Sequence, residues 1–341
     1  MKKVVFRACT VALCLLFAFS LSCVGRFEPK NNGSSPSPDK AKQELGAWLV
    51  IKQTCFNADG SLDYGAEYEY DQSGSRTAMR YYASDASRNY SSQYEYDAHG
   101  NCIRETQFDT DGGISLRKEY EYDAKGNRIG EADFDADGSL VFRHRTEYDE
   151  DGTPTESTFF DSNGNLYSSS VYENTAEYLK TTSFDANGDI TRWDELVYDA
   201  NGNIIKHANY TASGILNWSE YEHDRNGNVI RQTNYNGDGS ISGIYESEYD
   251  EKGRHLLHKS LDSDGRVSYI SEYEYDAEGN RIEETEIGAD GNVICREEYE
   301  YDENGNLLKQ TITYSDGIND SITEYEYSFF ENAPKSKQRM E

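Results

Sequence analysis

The chain has 341 residues, a formal net charge of −30 at pH 7 and only 36% hydrophobic residues, yet it carries 28 tyrosines and 13 phenylalanines. Acidity of this size excludes nucleic acid and anionic headgroups as partners of the central region, which has no basic patch. Its aromatic residues recur at fixed phase and can bury substantial area, which separates it from disordered acidic chains.

Lys2, Lys3 and Arg7 precede an apolar run from Ala8 to Leu21, long enough for a secretory signal and too short for a spanning helix. Ser20-Leu21-Ser22-Cys23 resembles a bacterial lipobox. The expectation is a signal peptide over 1–22, lipidation of Cys23, and a flexible tether over 23–47 built around Asn31 to Pro38. Residues 39–46 are expected to form a short helix. An exported bacterial envelope protein follows, held at the membrane by its lipid alone, with its leaflet and its exposure at the cell surface left open.

From residue 48 to residue 327 the chain repeats itself. Glycines 74, 100, 126, 152, 202, 227, 253, 279 and 305 close turns that mostly follow Tyr-Glu-Tyr-Asp. Glycines 60, 112, 138, 164, 188, 214, 239, 265, 291 and 317 close a second series of turns, for which Phe-Asp, present before Gly112, Gly138, Gly164 and Gly188, is the type. Gly100, Gly112 and Gly126 show the spacing: steps of 12 and 14, a period of 26. The turn pairs Asp97 with Gly100, Asp123 with Gly126, Asp276 with Gly279 and Asp302 with Gly305. The Asp side chain accepts following backbone amides, and glycine takes positive φ without a Cβ penalty. This chemistry predicts tight hairpin turns, altered where alanine stands instead, at Ala86 and Ala176.

Between turns the pattern is that of strands. Val267, Tyr269, Tyr273 and Tyr275 share one parity while Arg266, Ser268, Glu272 and Glu274 take the other. Asn280 to Ile287 breaks the alternation and predicts a bulge or a change of face. The expected fold is all-β: about 20 antiparallel strands in 26-residue hairpin repeats, forming a curled or spiral sheet with its tyrosines inside the coil. A short tail over 328–341 is expected to fray.

At Tyr273-Glu274-Tyr275-Asp276-Ala277-Glu278-Gly279-Asn280 and at Tyr299-Glu300-Tyr301-Asp302-Glu303-Asn304-Gly305-Asn306 the sequence resembles the YD repeat of the RHS family. That resemblance implies successive hairpins spiralling into a hollow shell. The toxin-container function of large members does not carry over, since the tail holds no enzyme domain and no self-cleaving core motif.

Catalytic constellations are thin. His99, His144, His207, His223, His255 and His258 lie at unrelated phases, and Cys55, Cys102 and Cys295 share none. Asp133 to Leu140 copies the first eight positions of a calcium loop, but the twelfth is His144 instead of a bidentate Glu. No enzyme, metal site or cofactor is expected. Trp193 and Trp218 interrupt the consensus 25 residues apart and are the candidate ligand surface. The expected function is binding or adhesion to a protein or glycan at the cell surface through the repeat surface. The alternatives are a structural envelope spacer and an accessory or remnant of an RHS-type toxin system.

Overall fold

The computed structural model describes residues 45–317 and 320–334. The first strands are β1 (Leu45–Asn57), β2 (Leu62–Tyr70) and β3 (Arg76–Ala83); a single 3-10 turn, Ala86–Arg88, precedes β4 (Tyr90–Tyr96), β5 (Cys102–Phe108) and β6 (Ile114–Tyr122). β7 (Arg128–Asp135), β8 (Leu140–Tyr148), β9 (Pro154–Phe160), β10 (Leu166–Asn174), β11 (Tyr178–Asp185) and β12 (Ile190–Tyr198) follow. Then come β13 (Ile204–Thr211), β14 (Gly214–His223), β15 (Val229–Asn236), β16 (Ile241–Tyr249) and β17 (His255–Leu261). The last are β18 (Val267–Tyr275), β19 (Arg281–Gly288), β20 (Val293–Tyr301), β21 (Leu307–Tyr314) and β22 (Ser321–Pro334). Residues 45 and 46, expected in a short helix, are strand, and β22 runs through half of the segment expected to fray.

All 19 turn glycines have positive φ, and no other residue type does among the described residues. In the turn at Asp97 the Gly100 amide donates to the Asp97 carbonyl at 3.1 Å, and the Asp97 amide donates to the Asn101 carbonyl at 3.0 Å. Asp97 Oδ1 accepts from the amides of His99 and Asn101, and Oδ2 accepts from the Asn101 side chain. This is a type I turn ended by a left-handed glycine. Where alanine replaces glycine the turn changes: Ala86 enters the 3-10 turn capped by Asp85, and the loop at Ala176 is closed by the Thr175 amide donating to the Tyr178 carbonyl.

Neighbouring hairpins are tied by a repeated tyrosine bond. The tyrosine of Glu-Tyr-Asp donates its hydroxyl to a carbonyl 20 residues earlier: Tyr96 to Arg76, Tyr122 to Cys102, Tyr148 to Arg128, Tyr249 to Val229 and Tyr301 to Arg281, at 2.7–3.0 Å. Beside these carbonyls the ladder slips by a residue, as between Glu274 and Tyr275 opposite Arg281 and Glu283. The tyrosine satisfies a carbonyl at this irregular position.

Every strand pairs antiparallel with its neighbours in sequence, and β22 pairs with β1 through eleven register positions from Leu45↔Pro334 to Asn57↔Ser321. The 22-stranded sheet therefore closes into one barrel. This overturns the expected curled or spiral open sheet, and with it the RHS/YD-repeat resemblance as a guide to architecture. Its hairpins are staves of one wall instead of an open-ended hairpin-repeat array.

The register explains the closure. Glu67 pairs with Arg80 and Arg80 with Ser91, so crossing two strands advances 24 residues along a 26-residue repeat. The stagger is two residues per hairpin, and followed around all 22 strands it gives a shear of about 22. Such a wall tilts its strands by roughly 35° and has a radius of about 20 Å.

The two faces differ in exposure. Glu131, Asp133 and Glu284, on the face of the tyrosines, are 16%, 19% and 17% exposed. Glu95, Glu222 and Glu300, on the other face, are 56%, 69% and 66% exposed. A closed wall crowds side chains on its concave side and spreads them on its convex side, so the tyrosines line the lumen. The hydrophobic cluster of buried residues sits at the seam, where Ala47, Leu49 and Ala333 pack with Tyr70 and Phe330. Ion pairing of Lys52 with Glu326 at 2.9 Å joins the same two strands on the outside.

Two substitutions test this account. Leu49→Ala is expected to cost about 2–5 kcal/mol through the cavity left in the seam cluster. Gly126→Ala, at φ +86° with nothing near the added Cβ, is expected to cost roughly 1–2 kcal/mol through backbone strain alone. Urea denaturation followed by circular dichroism measures both.

Candidate functional site

The lumenal face is the candidate site. It is built by the Tyr-Glu-Tyr strands, whose tyrosines alternate with outward glutamates, and by the strands that pair with them.

Between β6 and β7, Lys118 Nζ lies 3.5 Å from both Glu131 and Asp133, and Arg128 reaches Glu131 at 3.6 Å. Burial pushes the carboxyls of Asp133 and Glu105 up, and Lys118 pulls each part of the way back. A second cluster spans β19 to β21. Arg281 donates to Glu284 at 2.8 Å and to the Tyr299 hydroxyl at 2.7 Å, and that hydroxyl donates to Glu297 at 2.6 Å. Gln310 also donates to Glu297. Burial raises the Glu284 carboxyl against the pull of Arg281. The Cys295 thiol, 3.4 Å from Glu286, is pushed up to about 12 by burial and then by that carboxylate. Burial also raises the Cys55 thiol. Thiols held protonated at neutral pH are poor nucleophiles.

The third lumenal feature lies on β16, β17 and β18. His258 sits between Tyr245 and Tyr269, with ring centroids 5.7 and 6.2 Å away, and His255 between Tyr249 and Tyr273, at 4.4 and 5.7 Å. The result is two stacked tiers of Tyr-His-Tyr. Ser247 lies 3.1 Å from His258 Nδ1, and burial holds both imidazoles below their ordinary pKa, His255 further lowered by its neighbour. His144, stacked on Phe159 at 4.9 Å, is lowered by burial in the same way.

Asp97, Asp123, Asp276 and Asp302 all lie in turns on one rim, each accepting from two amides and from the asparagine four residues on. For Asp97 and Asp123 the asparagine bond is the largest cause of a lowered pKa; for Asp276 and Asp302 desolvation is the largest single effect and raises the pKa, but the asparagine bond and the backbone amides together bring it below the ordinary value. The sequence copy of a calcium loop is dispersed. Asp133 faces Lys118 in the lumen, while Asp135 accepts the amides of Asp137 and Ser139. Among the described residues no group of three or more His, Cys, Asp or Glu is placed to hold a metal ion.

Trp193 and Trp218 lie on the outer face, apart from the lumen. Trp193 stacks on Tyr210 and Trp218 on Tyr235, each at 4.8 Å, and the two tyrosine hydroxyls donate to Glu195 and Glu220. One face of each indole is thus covered by the next strand. Cys23 lies outside the described residues. The histidine tiers were missed in the sequence because their members sit at different repeat phases and meet only through register. A histidine at an inward parity between two Tyr-rich strands is the signal that would have found them.

No protein-family model matches the chain, and no curated protein matches it. Among solved structures, a porin-like protein from Bacteroides uniformis is similar over 82% of this chain and 98% of its own, at 10% identity and a TM-score of 0.31. The crystal structure of TcdB2-TccC3 is similar over 81% of this chain at 15% identity and a TM-score of 0.28, and this chain spans 19% of its length. A protein of unknown function from Bacteroides fragilis matches over 30% of this chain and 84% of its own, with 16% identity and a TM-score of 0.25. Scores this low carry no argument about this chain.

The half-buried histidines give a pH dependence whose sign is fixed. Their folded pKa lies below the unfolded value near 6.5, so the unfolded chain takes up protons first and stability falls as pH drops below about 6.5. The raised carboxyls of Glu105, Asp133 and Glu284 act in the opposite direction, so the comparison must be with a variant. Between about pH 7.5 and about pH 5.5, the wild-type protein is expected to lose more stability than His255→Phe/His258→Phe. Urea midpoints at the two pH values measure this, and equal losses contradict it.

Proposed function

We propose that this chain is a non-enzymatic structural component of the cell envelope, a hollow spacer whose wall encloses a water-filled polar lumen. The observation that carries the proposal is the single-layer wall. Among the described residues, backbone proximity joins only strands adjacent around the barrel, and both wall faces carry ionised groups. A radius of about 20 Å leaves a bore roughly 25 Å across after one layer of side chains. The closure overturns the earlier expectation of adhesion through an open repeat surface, because no flat or open-ended sheet remains.

A closed barrel is compatible in general with an exported, membrane-associated protein. Lipid-spanning barrels present an apolar band about 25 Å tall, whereas here strands of mostly seven to nine residues carry outward Glu95, Glu222 and Glu300 and inward Glu131 and Glu284. Neither face matches hydrocarbon. Association with the membrane is therefore assigned to a lipid on Cys23, and the mass of the N-terminal peptide from membrane fractions tests it.

The spacer role is tested by adding the purified full chain to planar bilayers and recording small-angle scattering from the same sample. The expected result is no conductance together with the scattering minima of a hollow cylinder. Stepwise conductance would overturn the spacer in favour of a channel, and a solid-particle profile would remove the lumen.

A further inference from the structure

We propose that the outer wall carries a binding cleft for a free basic α-amino acid, built where the repeat breaks at Ala86. In regular hairpins an apolar pair closes the outer wall beside the turn: Phe108↔Ile114, Phe134↔Leu140, Phe160↔Leu166 and Phe184↔Ile190. Between β3 and β4 that pair is missing. The chain enters the 3-10 turn Ala86–Arg88, the ladder stops at Tyr81↔Tyr90, and Asn89 Oδ1 accepts the Ala83 amide at 2.9 Å. Tyr82 is left without a ladder partner on β4. Its ring lies on the wall across Gly65, where an added Cβ would come within 2.4 Å of the ring. Beside it opens a cleft of about 570 Å³, a size suited to a small molecule.

Glu67, Arg80, Tyr82, Asn89, Ser91 and Asp109 line the cleft. Glu67, Arg80 and Ser91 form one paired row that continues from Lys52 on the outer face. Glu67 and Arg80 are therefore side by side, about 5 Å apart at Cβ, and both are exposed. Neither makes an ion pair or a side-chain hydrogen bond among the described residues. An exposed pair is worth only about 0–1 kcal/mol, so both groups are available to a ligand. On the far side Asp109 Oδ1 accepts the amides of Asp111 and Gly113, while its Oδ2 accepts nothing among the described residues; Asp97 Oδ2, by contrast, accepts from Asn101. One guanidinium and two carboxylates beside a phenol ring complement a ligand with one carboxylate and two ammonium groups. Arg80 offers its planar fork to the carboxylate, and Glu67 stands beside it for the α-ammonium. Asp109 lies two strand spacings from β3, roughly 10 Å, a span that an extended lysine side chain covers with its methylenes on Tyr82. The acidic surface draws such a cation in. The cleft is independent of whether the spacer role holds.

Calorimetric titration of the full chain with L-lysine tests the cleft, with L-lysinamide, which lacks the carboxylate, and L-norleucine, which lacks the side-chain ammonium, as comparisons. The expected result is saturable one-site binding of L-lysine, weaker for both comparisons. Arg80→Gln is expected to weaken L-lysine at least about tenfold and to abolish its advantage over L-lysinamide. Asp109→Asn, whose Oδ1 can still accept the turn amides, is expected to weaken L-lysine and leave L-norleucine unchanged. Arg80 makes no bond in the fold, so an unaltered thermal melt of Arg80→Gln separates lost binding from lost structure. Absence of saturable binding, equal affinity for L-lysine and L-lysinamide as in plain attraction of cations to an acidic surface, or full binding by Arg80→Gln would each overturn the proposal.

Discussion

The pairing of the last strand with the first is the constraint on which the rest of the structure depends. It fixes the number of strands, and the stagger of two residues per hairpin then fixes shear, tilt and radius together. Each repeat contributes the same small offset, so closure is the sum of a local property: the turn, the bulge and the tyrosine bond that reaches back 20 residues. Apolar burial is concentrated where the local property ends, at the seam. There β1 and β22 are the longest strands and make the cluster of Ala47, Leu49 and Ala333.

Closure also assigns chemistry to the two faces. The tyrosines of the Tyr-Glu-Tyr strands and the partly buried charge clusters turn inward, and the well-exposed glutamates turn outward together with the Trp193–Tyr210 and Trp218–Tyr235 stacks. With a bore too wide for side chains to span, the interior cannot be a packed core, and stability must come from the ladder, from neighbouring side chains and from the turns. That distribution explains why so many groups are half-buried, and why three histidines and several carboxyls have shifted pKa values.

Much of the local structure was legible in the residues. The turn glycines all have positive φ, Ala86 and Ala176 mark altered turns, and the irregular stretch after Asn280 is a bulge. Closure was not legible, because the stagger arises from how Glu67, Arg80 and Ser91 line up across strands, and no spacing along the chain encodes it. For the same reason the meeting of His255 and His258 with tyrosines of two other strands was invisible. Trp193 and Trp218 are visible in the sequence as breaks in the consensus, but their neighbours Tyr210 and Tyr235 emerge only from register.

The most direct test of closure is the distance between the first and last strands. Nitroxide labels at Lys52→Cys and Glu326→Cys, directly paired positions on the outer wall, should lie within about 15 Å of each other in dilute solution, since paired backbones are about 5 Å apart. A separation of several tens of ångströms, as in an open sheet whose 22 strands extend over about 100 Å, would contradict the barrel.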